Sequence, residues 1–339
     1  MDLECPKQPP PYYTRVLHSI AFISFPINFL GCYLIIFKSP SNSNYKYRQL
    51  YLQIVTFLVE NHMTWIGGGY YYYPLFGGFN TSPFLSHIIS AHTSVVGLVF
   101  VLAFELPSLI SCFQYRASSA ADLNPRQKIP PLLTYVMTVI GHCFPFVVAI
   151  SILLSKPSYE EQYTYVSQHF PKCLHVFDNV GFIVYDWRTN LGLIIAAACA
   201  VTWIAVFSCY AFGLAVYTML TLHAMRSHMS AATFKLHRSA LIALTFQCVV
   251  PSSFIITPLS IIGLILLLEL SALQELATDS WFLLAAHSVV STIVMIGCNG
   301  RYMGIVRDFL KGTKTVKSTN VSVTVKSING NHHSIGSRI

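Results

Sequence analysis

The sequence predicts an all-α, polytopic membrane protein: a seven-transmembrane helix bundle followed by a short amphipathic eighth helix. Composition and pattern carry this expectation. Of 339 residues, 54% are hydrophobic and 10% are charged, against about 25% charged in soluble domains. The mean hydropathy is +0.56, and uncharged apolar stretches recur at about the 20-residue length that spans hydrocarbon. Aromatics at 14% exclude a disordered regulator, and nine cysteines over this length are too dilute for a disulfide scaffold.

The first stretch, 16–37, lacks Asp, Glu, Lys and Arg. It is longer than the apolar core of a cleavable leader, so it is expected to stay in the mature chain. The second and third, 49–72 and 86–114, each hold one carboxylate, Glu60 and Glu105. The fourth, 131–154, and the fifth, 191–223, are uncharged; the fifth is too long for one perpendicular crossing and is expected to project into water. The sixth is 239–268 and the seventh 280–300. Over 301–311, Ile305, Val306, Phe309 and Leu310 oppose Arg301, Arg307 and Lys311 at helical spacing, an amphipathic helix suited to a lipid surface. Residues 1–311 thus form one membrane domain. The remainder, 312–339, has no apolar periodicity and is expected to be a disordered cytoplasmic tail, its hydroxyls, Thr313 and Ser318 among them, open to phosphorylation.

Basic residues orient the chain. With the N-terminus outside, 16 of the 21 Lys and Arg fall on the inner side, whereas nine carboxylates fall outside and two inside. The net charge of +8 is then a surplus beside anionic lipid, with no reason to invoke nucleic acid. This orientation puts the sequon Asn80-Thr81-Ser82 outside, making Asn80 a candidate glycosylation site. It also puts two cysteines, Cys5 and Cys173, in oxidising space. A bridge between them would tie the N-terminus to the long loop 156–188, a loop expected to fold over a binding mouth.

Polar groups inside hydrocarbon are costly and point to function or to helix pairing. Candidate ligand contacts are His92 and His287 in the outer half, Glu60 and His62 deeper, and Tyr72 in the Tyr70–Tyr73 rim. Each of these could instead serve only to hold helices together. Gln247, Pro251 and Pro258 mark the sixth stretch as a hinge, because proline removes an intrahelical hydrogen bond. The inner basic residues Arg116, Arg226, Lys235 and Arg238 face a cytoplasmic partner. No H-E-x-x-H helix, short-spaced Cys/His set or G-x-G-D motif occurs, so no enzyme activity, metal or cofactor is expected. A channel or transporter, or a structural or trafficking membrane protein, is the alternative. Scarce fixed charge in the outer half argues for a small neutral or volatile ligand. A dimer is left open.

The run Met229 to Leu241, with Gln247 to Pro251 and Pro258, resembles the sixth-helix entry of the nematode serpentine chemoreceptor superfamily. Further matches are Pro11-Tyr12-Tyr13, Phe37-Lys38-Ser39, Glu105, Cys112-Phe113 and Tyr115-Arg116. The resemblance is to class I, with class H near, and covers about 11–309. It implies a G-protein-coupled receptor of chemosensory neurons, at the plasma membrane and cilium, that meets a heterotrimeric G protein. The chain departs from the wider pattern where no Asp-Arg-Tyr ends the third stretch and Asn299-Gly300-Arg301-Tyr302 ends the seventh.

Overall fold

The computed structural model describes residues 3–40, 44–82, 85–122 and 129–311. The expected tail, 312–339, lies outside the described residues. The chain divides into two units, 1–303 and 304–339. In the first, α1 (Pro11–Tyr33) begins on a proline, which has no N–H to leave unpaired there, and ends in a π-helical turn, Leu34–Lys38. α2 (Tyr45–Asn61) likewise continues into a π-helical turn, His62–Ile66. α3 (Ala91–Ala103) and α4 (Glu105–Ala121) form one rod, followed by α5 (Pro131–Leu154). α7 (Leu191–Ala224), α8 (Ala231–Leu268) and α9 (Gln274–Cys298) complete the bundle, and α10 (Gly300–Leu310) follows.

Packing closes these helices into a ring. α1 lies between α2 and α9, α9 against α8, α8 against α7 and α7 against α5, while the α3–α4 rod touches α2, α5, α7 and α8. Among the described residues six helices are long and apolar enough to cross a membrane: Pro11–Lys38, Ala91–Ala121, Pro131–Leu154, Leu191–Ala224, Ala231–Leu268 and Ser271–Cys298. α2 is not one of them. It has 17 residues and carries Gln49, Gln53 and Glu60 buried on one side.

Several boundaries differ from the sequence expectation. The second stretch stops being helical at Ile66, short of residue 72, because Gly67-Gly68-Gly69 removes helix propensity and the tyrosines after it favour a strand. The third starts at Ala91 rather than 86, where the Ser90 side chain accepts from the Thr93 amide, and runs on to Ala121. It breaks at Phe104, because Pro107 has no amide to offer the carbonyl of Ala103. The sixth begins at Ala231, capped by Ser230, and is 38 residues long with Pro251 and Pro258 inside it. The seventh spans Gln274–Cys298 and stops where Asn299 turns extended, short of residue 300.

A lid, built on the described segments 67–82, 85–90, 155–190 and 269–273, covers one end of the ring. β1 (Gly69–Tyr72) and β2 (Gly77–Asn80) form an antiparallel hairpin, and β3 (Ile183–Val184) adds to β2 through Gly77↔Val184 and Gly78↔Ile183. A Cβ on Gly77 would sit 2.9 Å from that of Val184, so glycine is what admits the third strand. The loop expected at 156–188 contains α6 (Tyr159–His169) and a 3-10 turn, Pro171–Asp178. α6 starts in a capping box: the Ser158 amide donates to Glu161 Oε2 (2.7 Å) and the Glu161 amide to Ser158 Oγ (3.3 Å). The Ser158 amide, and then the Ser158 hydroxyl, hold the exposed Glu161 carboxyl below its usual range by donating to it.

Cys5 and Cys173 are disulfide-bonded, with Cα atoms 5.2 Å apart. Leu3, Cys5 and Tyr13 join Tyr70, Tyr72, Phe79, Val166 and Val176 in one buried cluster that continues between the helices to Val59, Leu98 and Leu284. Lid and bundle therefore share a core. Cys173→Ser is expected to lower the stability of the purified protein by about 2–5 kcal/mol; a thermal midpoint unchanged under non-reducing conditions would contradict this.

Candidate functional site

Within the ring, polar residues at helical spacing converge on Asn28. Ser24 and Asn28 share a face of α1, Gln53 and Glu60 of α2, and Ser288 and Thr292 of α9. Asn28 Oδ1 accepts from Gln53 Nε2 (2.7 Å), Ser288 Oγ (3.0 Å) and Thr292 Oγ1 (2.7 Å). Its amide nitrogen donates to Ser24 Oγ (2.6 Å) and Glu60 Oε2 (3.3 Å). Close approach of α1 to α9 is allowed by Gly31, where a Cβ would come within 2.7 Å of Thr292 Cγ2.

A second tie crosses the ring beside this one. The break at Phe104 places Glu105 in the first turn of α4, where its Oε1 lies 2.6 Å from His287 Nε2 on α9. The other imidazole nitrogen lies 2.5 Å from the Leu284 carbonyl. Both ring nitrogens thus face oxygen acceptors, which demands two N–H donors or a protonated Glu105. Glu60 also acts on His287 electrostatically.

The structure places several expected ligand contacts in ties between its elements. His287 and Glu60 come together, but both are buried within the helix ties. His62 is a tie between α2 and the start of α3: its Nε2 lies 2.8 Å from the Ser94 carbonyl, and the ring fills the space a side chain at Gly97 would need. Tyr72 is no open rim, because it is 0% exposed and its hydroxyl donates to the Pro6 carbonyl (2.8 Å). Tyr73 is equally buried and accepts from Trp281 Nε1 (3.0 Å). Glycosylation at Asn80 also meets an obstacle. The side chain is buried in β2, its nitrogen donating to the Ile66 and Ile89 carbonyls and its oxygen accepting from the Ser82 amide.

His92 lines a cleft. That cleft, about 560 Å³, also meets Ser90, Lys156, Ser158, Tyr159 and Phe182. Burial pushes the Tyr185 phenol up, so it keeps its proton and donates to His92 Nδ1 (2.5 Å). Nε2–H is then left for the Leu153 carbonyl (3.3 Å), and His92 acts as a fixed wall. A neighbouring cleft of about 490 Å³ shares Pro157 and Gln162 and carries Glu160, Glu161 and Asp186. Burial and then the Asp186 carboxylate push the Tyr165 phenol up there.

At the opposite end, Arg226, Lys235 and Arg238 are exposed. Arg116 lies over the Tyr45 ring, 3.9 Å from its centroid, and its Nε is buried with no hydrogen-bond partner among the described residues. Gln247, Pro251 and Pro258 are buried along α8, which runs unbroken through all of them. The break falls at Phe104 instead. Among the described residues no group of three or more His, Cys, Asp or Glu could hold a metal ion. Sequence reasoning missed Ser24, Asn28, Gln53, Ser288 and Thr292; the signal was there, as polar pairs four or seven residues apart in apolar stretches.

A helix ring around a polar core, lidded at one end and basic at the other, defines a polytopic membrane protein of the receptor type. The family model described as Serpentine type 7TM GPCR chemoreceptor Sri matches residues 3–306, and the chain belongs to this nematode family. No curated protein and no solved structure matches it. The protein is thus a multi-pass membrane chemoreceptor.

Removing one partner of the buried pair should be costly. Glu105→Ala is expected to lower stability by about 3–5 kcal/mol, while Glu105→Leu/His287→Leu recovers most of the loss. Thermal unfolding of the two variants checks this; equal midpoints would show that no pair is being broken. Asn80→Ala should cost about 1–3 kcal/mol by orphaning buried carbonyls, and glycosidase treatment should leave the mobility of the wild type unchanged.

Proposed function

We propose that the protein is a G-protein-coupled chemosensory receptor that binds a small molecule from the extracellular side and signals to a heterotrimeric G protein. Family membership over residues 3–306 is the observation that carries this reading. In it, 45–66 is a seventh crossing, bringing its polar side to the bundle interior, and α10 is the eighth helix. The N-terminus and lid face outward, the C-terminus lies in the cytoplasm, and the receptor works at the plasma membrane, including the sensory cilium. Class I, rather than class H, accompanies this reading, and no catalysis is part of it.

Two features support the direction of signalling. The clefts open at the lid end, whereas Arg226, Lys235 and Arg238 are exposed at the other. Arg116, beside Tyr45, joins them as a G-protein contact. Between the ends, a ligand acts only through its differential affinity for two arrangements of the helices. The α8 prolines, buried in the bundle, are where such a rearrangement pivots, with Gln247 one turn before Pro251.

The test is a second-messenger or calcium recording of the tagged receptor against an odorant panel, with G proteins supplied. Arg238→Ala and Pro251→Ala should abolish a response that the wild type gives while surface levels hold. Silence of the wild type across the panel, with surface expression demonstrated, would overturn the signalling role.

A further inference from the structure

The two clefts under the lid differ in charge. The start of α6 lies between them, with Ser158 and Tyr159 toward one, Glu160, Glu161 and Tyr165 toward the other and Gln162 shared by both. Glu160, Glu161 and Asp186 make the second cleft acidic, with no Lys or Arg among the described residues lining it. The first, beside His92, is its opposite: Lys156 is its cation, and no carboxylate is among the described residues lining it.

The first cleft has an aromatic wall as well. Tyr159 and Phe182 line it, and Phe177 bridges them at centroid distances of 5.5 and 5.3 Å. Tyr159 is 64% exposed, so its ring face is open to a ligand. Ser158 is engaged by Glu161, its hydroxyl accepting from the Glu161 amide and its own proton serving the Glu161 carboxylate, so the charged donor of the cleft is Lys156. His92 offers no ring nitrogen, because both are taken by Tyr185 and Leu153. At about 560 Å³ the space lies within the range of small-ligand pockets.

We propose that this cleft binds a small anionic aromatic molecule, its carboxylate on Lys156 and its ring on Tyr159 and Phe182. The sequence alone argued for a neutral or volatile ligand, because charge is scarce in the outer half; folding brings Lys156 and the aromatic wall together. The signalling consequence rests on the chemoreceptor reading above, but binding does not.

Binding is therefore measured separately, on the purified full-length protein in nanodiscs of zwitterionic lipid, which keeps anionic headgroups out of the cleft. Benzoate and phenylacetate are the probes, with benzyl alcohol and benzylamine as neutral and cationic counterparts. The carboxylates are expected to bind at concentrations up to about 1 mM and the counterparts to bind at least tenfold more weakly. Lys156→Gln should weaken carboxylate binding by about ten- to a hundredfold, Lys156→Arg should largely restore it, and Glu160→Gln in the other cleft should leave it unchanged. Carboxylate binding that is absent, or equal in wild type and Lys156→Gln, overturns the proposal. Loss of binding on repeating the assay with anionic lipid would assign the cleft to a lipid headgroup and overturn it as well. Binding that follows these variants without any messenger response would uphold the cleft and count against the signalling role.

Discussion

Hydrocarbon offers no partner to a polar side chain, and the rest of this structure depends on how that demand is met. Asn28 answers it for α1, α2 and α9 together, its oxygen taking three donors and its nitrogen reaching Ser24 and Glu60. Because these helices satisfy polar groups through one another, register and rotation become fixed jointly. The Glu105–His287 pair extends the same logic to the α3–α4 rod, which is also tied by His62 to the Ser94 carbonyl and by Gln114 to Thr138.

The lid is built from the opposite material. Its core is aromatic and aliphatic, stapled by Cys5–Cys173 and continuous with the ends of the helices. Tyr13 shows the coupling in one residue: it is buried in α1, stacks edge-on against Tyr70 and donates to the Gly69 carbonyl at 2.8 Å. A displacement of the hairpin is therefore felt by α1, and through Asn28 by α2 and α9. Arg188 and Glu269 add an ion pair between the loop before α7 and the C-terminal cap of α8. Exposed pairs of this kind contribute little stability, so the lid's position rests on its core.

Side chains that looked alike in sequence thus divide by role. His62, His92 and His287 are each isolated in an apolar setting, and each turns out to face a backbone carbonyl; only His287 also meets a carboxylate. His92 also reaches a cleft. The prolines divide in the same way. Pro107 lies at the break between α3 and α4, whereas Pro251 and Pro258 leave α8 continuous, as a long helix with neighbouring helices to support it can be.

The sequence by itself determined the class of fold, the approximate place of each apolar helix, the basic end and the cysteines able to bridge, because length, hydropathy and charge are local properties that a bilayer reads directly. It also carried enough motif, from Met229 to Pro258, to point to the family. Only the tertiary structure decided that 69–72 is a strand, that Asn80 and Tyr72 are buried, that Glu105 reaches His287 and that Lys156 shares a cleft with Phe182. Glu105 with His287, and Tyr72 with Pro6, join residues far apart in the chain. Periodicity can show which face of a helix is polar, but the partner that face meets is set by the packing of all the helices at once.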